Sequence, residues 1–230
     1  MRTMASTGGR DGGGYTPPRV KRSPWGLVAL VLLIGVALIR NGAADGSGPP
    51  QPASDSAADS RYAVTLTPDE VLRPSEPLPK SSPSRIVVPT IRVNAPLTRV
   101  GLDSEGWIDS PPADDKNLAG WFKDAVTPGE KGTAVVVGHV DNQKGPAVFY
   151  NLGALKKGNE VEVARKDGRT AVFSVYGIEV FDKKSFPADR VYGETGSPEL
   201  RVITCGGGYS KGSGYSANVV VFARLVQTRG

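Results

Sequence analysis

From residue 85 onward the sequence predicts a mainly-β fold, closed into a barrel or layered as a sandwich, and two observations carry that expectation. The stretch breaks into eight short runs rich in Val, Ile, Thr and aromatic residues, with Gly, Pro, Asn and Asp punctuating the gaps. Helical patterning is short and sparse, with the best segments at 115–121, 146–152 and 187–192.

Taken in order, the predicted strands are 85–88, 91–93, 106–109, 132–138, 160–164, 170–180, 200–204 and 218–226. Between the fifth and sixth, Lys166-Asp-Gly-Arg169 places Asp-Gly where a tight hairpin needs it. The runs Ala134-Val-Val-Val137 and Val219-Val-Val-Phe222 are apolar at every position, so both faces of these strands are expected to be buried in the middle of a sheet.

Upstream, the chain divides into three parts. Residues 1–24 form a basic tail, in which Arg2, Arg10, Arg19, Lys21 and Arg22 face one acid, Asp11. Residues 25–40 contain an uncharged apolar run, Trp25 to Ile39, closed by Arg40. Its 15 residues rise roughly 22 Å as a helix against a ~30 Å hydrocarbon core, so Pro24 and Asn41 to Ala44 must extend it. We read it as a single-pass anchor, the alternative being a cleaved signal sequence ending in Asn41-Gly-Ala-Ala44. Either way the basic tail stays in the cytoplasm and the rest crosses the plasma membrane. Residues 41–84 are rich in Ser, Ala, Pro and Gly and read as an extracytoplasmic spacer, with a small β element possible at 63–66. The folded domain is expected over 85–228.

Composition narrows the function. Much of the formal charge of +5 sits in the tail, and beyond it acids and bases are interspersed, so nucleic acid is not an expected partner. A single cysteine, Cys205, excludes an intramolecular disulfide, and a single histidine, His139, excludes His-rich metal ligation. Asp114-Asp115 lacks the alternating oxygens of a calcium loop, so no metal is expected.

The one His and the one Cys each end a strongly apolar predicted strand and each adjoin glycine, in Gly138-His139 and Cys205-Gly206. Cysteine acyl transfer needs a sulfur nucleophile and a nearby imidazole as acid or base, and the sequence offers one of each. On spacing alone the bland reading stands beside this one, with Cys205 a small core residue and His139 a polar group at a loop edge.

Several segments together resemble the sortase family. Val202-Ile-Thr-Cys205 is similar to the Leu-x-Thr-Cys signature, and Val137-Gly-His139 to the strand end that bears the sortase histidine. The stretch from Ile86 to Pro96 resembles the opening strands. Gly138-His-Val-Asp141 and Gly145-Pro-Ala-Val-Phe149 resemble actinobacterial class F members. The likeness runs from about Ser84 to Val226.

This resemblance implies an eight-stranded barrel without a cofactor. Cys205 would attack the Thr–Gly bond of a Leu-Pro-x-Thr-Gly-like sorting signal near the C-terminus of a surface protein. An amine of a peptidoglycan precursor would then resolve the thioacyl enzyme. His139 would protonate the departing amine and deprotonate the incoming one.

The sequence departs from the family at one point. Sortases carry an arginine on the strand after the cysteine loop, whereas here the text is Tyr215-Ser-Ala-Asn218, with Ser216 or Asn218 at the aligned position. Arg201 lies four residues before Cys205 and Arg224 six after Asn218, roughly 13 and 20 Å along extended strands. Both are expected on the barrel surface. Asn218 with backbone donors near Gly206, or Lys211, is expected to fill the role, while Asp141 is a further group that could orient the imidazole. The missing arginine also motivates an alternative, a catalytically impaired sortase fold serving as a binding or scaffold module. An L,D-transpeptidase lacks support, because its Ser-x-Gly-Cys-x-Arg signature is absent around Cys205.

Overall fold

The structure is a computed structural model of the 230-residue chain and describes residues 48–57 and 76–230. The basic tail, the apolar segment and the β element expected at 63–66 lie outside the described residues. So does the question of a membrane helix.

Ten strands follow one another in the described chain. They are β1 (Pro83–Val88), β2 (Val93–Val100), β3 (Ala119–Phe122), β4 (Gly132–Gly138), β5 (Asp141–Asn142), β6 (Gly145–Pro146), β7 (Glu160–Arg165), β8 (Thr170–Asp182), β9 (Pro198–Ser210) and β10 (Gly214–Arg229). Eight of them close into a barrel in the order β1-β2-β3-β4-β9-β10-β8-β7, and β5 and β6 form a separate small ribbon. The eight-stranded barrel expected from the family resemblance is therefore the fold. Closure leaves the barrel no open edge, so each of its eight strands has two partners.

Alternation along the strands divides the apolar residues into two clusters. Ile86, Val88, Ala134, Val136, Leu200, Val202, Val219 and Val221 fill the barrel interior. Val135, Val137, Ile203, Val220 and Phe222, the intervening residues of β4, β9 and β10, belong to a second cluster on the outer face. A short helix, α1 (Ala188–Tyr192), covers that face through Val191 and Tyr192. This is why the runs at 134–137 and 219–222 are apolar at every position. Both sides of these strands are packed.

The Asp-Gly hairpin joins β7 to β8, with Gly168 at φ +84°, the left-handed conformation that favours glycine. Other expectations are corrected. Segment 106–109 is not a strand, since its only ladder contact is the isolated bridge Leu102–Ile108. The helix expected at 115–121 gives way to β3, which pairs in parallel with β2 and antiparallel with β4. Pairing on both sides satisfies backbone groups that a short isolated helix leaves unbonded at its two ends. Segment 146–152 begins at the end of β6 and continues as turn into a 3-10 turn at Leu152–Ala154, and Ile91 closes another 3-10 turn before β2 begins at Val93.

Two stretches of the segment expected as spacer lie against the barrel. The Ser56 carbonyl accepts from the Ile178 amide at 2.8 Å, and the Leu78 amide donates to the Gly129 carbonyl at 2.8 Å while its side chain packs on the core. Proline-rich chain lacks N–H donors but keeps its carbonyls, so it can lie along a barrel as an acceptor without joining the sheet.

Candidate active site

β4 and β9 run parallel, with Val135 opposite Arg201 and Val137 opposite Ile203. Carrying that pairing two residues further brings His139, the first residue beyond β4, level with Cys205. On the other side of β9, Cys205 is paired with Asn218 of β10. Cys205 and Asn218 thus form one row across two neighbouring strands about 4.8 Å apart, and His139 follows the end of β4 beside them. Cys205 and Asn218 lie one step beyond Ile203 and Val220, so alternation puts both on the outer face, whereas His139 lies outside β4 and outside the cavity lining described next. From the opposite face, the Thr204 hydroxyl donates to the Gly138 carbonyl at 2.8 Å and ties the two strands together at this level.

Beside the row is a cavity of about 390 Å³. Cys205, Asn218 and Ile203 form its floor. Lys183, Phe186 and Tyr192, from the connection between β8 and β9, form one wall, and Trp107, Ile108 and Ser110, from the connection between β2 and β3, form the other. Cys205 is half-buried with a free thiol. The nearest cation the structure gives it is the Lys183 ammonium, whose Nζ is 3.7 Å from Sγ.

His139 is half-buried, and its Nε2 is 2.7 Å from the Pro111 carbonyl oxygen. A carbonyl only accepts, so Nε2 carries the proton and Nδ1 is the nitrogen left to accept one. Asp141 does not hold the imidazole. Its carboxylate accepts from the Tyr215 hydroxyl at 2.5 Å, and Tyr215 packs against Tyr209 with ring centroids 5.1 Å apart. Burial, followed by the hydrogen bond to Asp141, raises the Tyr215 phenol above its ordinary 10.0, so it stays a donor throughout the neutral range.

Cys205 does not end its strand, contrary to the expectation of a rigid strand giving way to a loop there. β9 continues to Ser210, hydrogen-bonded to β10, so the cysteine stands within a hairpin that projects past the end of β4. Lys211 lies at the tip of that hairpin, six residues beyond Cys205 and outside the cavity lining.

Arg201 is also corrected. Its side chain is 1% exposed and pairs with Glu199 at 2.6 Å, while its Nε donates to the Val191 carbonyl of α1 at 3.0 Å. Tyr176 donates its hydroxyl to the same Glu199 carboxylate at 2.8 Å. The outer face carries α1, and so a position that spacing places on the surface is covered. Arg224 stacks over the ring of Tyr176 at 4.6 Å.

Sequence reasoning did not single out Lys183, Trp107, Ile108, Phe186 or Tyr192. All come from connections distant in sequence from His139 and Cys205, and nothing local distinguishes Lys183 from Lys184. Among the described residues no group of three or more His, Cys, Asp or Glu converges to hold a metal ion.

Comparison with known families settles the assignment. The profile of the Sortase domain matches residues 86–226. The chain belongs to the sortase family. This sortase superposes on the SrtA sortase of Actinomyces oris with a TM-score of 0.51 at 18% identity, covering 67% of this chain and 89% of that one. Sortase A of Listeria monocytogenes is similar at TM-score 0.48 and 19% identity, with coverage of 66% and 90%. For sortase C-1 of Actinomyces oris the figures are 0.46, 24%, 63% and 73%. At these identities the first of these likenesses shows a shared fold. No curated protein sequence matches the chain. Sortases are generally cysteine transpeptidases acting on surface proteins with a sorting signal and a cell-wall amine, so membership supports a transpeptidase role for this sortase.

Proposed function

We propose that this sortase is an active cysteine transpeptidase of the class F type. In this reading it cleaves a Leu-Pro-x-Thr-Gly-like signal and transfers the surface protein to a peptidoglycan-precursor amine. The observation that carries the proposal is the pairing of Cys205 with Asn218 on one cavity at the end of β4, from which His139 follows, since acyl transfer by a thiol calls for an imidazole and an amide on the same side of the sheet.

In the proposed sequence His139 takes the Cys205 proton at Nδ1, its Nε2–H being held by Pro111. The sulfur attacks the threonine carbonyl carbon and the carbonyl electron pair moves to oxygen, where the Asn218 amide is one donor. When that pair returns, the C–N bond breaks and His139 protonates the departing glycine amine. The incoming amine then loses a proton to His139 as it displaces the sulfur from the thioester. The cavity walls of Trp107, Ile108, Phe186 and Tyr192 suit the apolar part of such a peptide. The same proposal places residues 1–24 in the cytoplasm and 25–40 in the membrane, with 41–84 leading to the catalytic domain at 85–228 outside. It rests there on the apolar run and the basic residues before it.

The test is incubation of the full chain with a fluorescent Leu-Pro-x-Thr-Gly peptide library and an amine acceptor. Turnover that is lost in both Cys205→Ala and His139→Ala is the expected result. No turnover of any peptide by the folded wild type refutes the proposal and favours the binding or scaffold module.

A further inference from the structure

Among the described residues no arginine lines the cavity beside Cys205, yet one cation is poised there. Lys183 opens the 3-10 turn Lys183–Ser185 directly after β8, and its neighbour Lys184 donates its backbone N–H to the Asp182 carboxylate, which fixes the start of the turn. That turn carries the Lys183 ammonium over the strand row, 3.7 Å from Sγ and in the wall of the cavity that Cys205 and Asn218 floor. Among the described residues no carboxylate pairs with Lys183, whereas Arg165, Arg190 and Arg201 each pair with one and Arg229 with two.

We infer that Lys183 is a catalytic residue of this sortase, whose ammonium donates a hydrogen bond to the substrate carbonyl oxygen as that oxygen takes on negative charge. The inference rests on the transpeptidase reading above. An oxyanion donor works at 2.7–3.1 Å from the developing oxygen. A carbonyl carbon bonded to Sγ places its oxygen within that reach of a group 3.7 Å from the sulfur. As the C–S bond forms, the carbonyl electron pair moves onto oxygen against the Lys183 N–H. The pair returns when the C–N bond breaks, and the lysine keeps all its protons, since His139 supplies the one the leaving amine needs. Asn218 faces the same oxygen as a neutral donor from the floor, so Lys183 contributes the charge that the amide does not have. Its exposed stem lets the ammonium follow the substrate carbonyl instead of resting in a buried pair.

Two rates measured on the full chain at one pH separate this role from others. One is thioacyl-enzyme formation with a cleavable Leu-Pro-x-Thr-Gly peptide, followed by mass spectrometry. The other is alkylation of Cys205 by iodoacetamide, which passes through no oxyanion. For Lys183→Gln, acylation is expected to fall about 10²–10³-fold, the usual cost of one oxyanion donor. Alkylation should change by no more than about fivefold, the effect of a single charge near the sulfur at a solvated rim. Lys183→Arg should recover acylation to within about tenfold of wild type, and Lys184→Gln should leave both rates unchanged. Equal falls in both rates would mean that Lys183 acts on the thiol alone, and an unchanged acylation rate would mean that it does not act. Each overturns the inference while leaving the transpeptidase reading intact. Alkylation without acylation in the wild type takes down both.

Discussion

Tyr215 and Asp141 join two segments that the barrel itself leaves apart, the projecting β9–β10 hairpin and the residues that follow His139. One hydrogen bond of this kind is worth about 0.5–1.5 kcal/mol, enough to bias a hairpin but not to hold a barrel. Tyr215→Phe should therefore leave the unfolding midpoint almost unchanged while amides at 206–214 exchange up to about tenfold faster. Hydrogen exchange with mass spectrometry reads this directly, and uniform exchange across variants would show that the clamp does not order the hairpin. The same bond shows what nearness along the chain does not reveal about Asp141, the partner its carboxylate takes. Two residues from His139 along the chain is near, but Tyr215 reaches the carboxylate from 74 residues away.

At the scale of elements, α1 is tied to the outer face by a hydrogen bond from Arg201, a residue that is itself ion-paired with Glu199 within β9. Arg201 satisfies Glu199 and the Val191 carbonyl together, so its removal leaves the Glu199 carboxylate without its counter-ion, held by the Tyr176 hydroxyl alone, and the Val191 carbonyl without this donor. Arg201→Met is expected to cost ~3–5 kcal/mol in denaturant unfolding. It should also loosen Tyr192 and Phe186, which wall the cavity. A change below ~1 kcal/mol would show that the pair is dispensable. The segment at 48–57 offers a complementary test. A side chain at Gly153 would meet the Pro50 carbonyl oxygen at 2.1 Å, a contact with backbone that no rotamer can relieve. Gly153→Ala should free this segment to proteases while shifting the barrel's midpoint by less than ~1 kcal/mol. Protection equal to wild type would mean that the segment adjusts around the methyl group.

For the whole molecule, Arg165 links segments far apart in sequence. Its buried guanidinium donates to the Pro128 and Pro79 carbonyls and pairs with Asp167 at 3.0 Å. The hydrogen bond from Arg165 holds the Asp167 carboxyl below its ordinary 3.8, against the opposing effect of burial. A depressed carboxyl contributes stability that is present above the ordinary aspartate range and lost as pH falls through the folded-state value. Asp167→Asn should accordingly be less stable than wild type at neutral pH, and the two midpoints should converge in strong acid. A difference independent of pH would refute the linkage.

Local pattern alone determined the barrel's central strands, the Asp-Gly hairpin and α1, and marked the one His and the one Cys as candidates. Continuous apolar runs, turn residues and singular His and Cys are properties of short windows. β3 escaped because four residues can read as helix until β2 and β4 supply partners on both sides. Arg201 escaped because burial on an outer face depends on what covers that face. Lys183 escaped because its nearness to Cys205 spans 22 residues and a chain reversal. Sequence by itself determines which residues favour strand, turn or core. Which of them share a row or a cavity wall is decided only by the long-range pairing of β4, β9 and β10, since proximity in a barrel is set by register and not by separation along the chain.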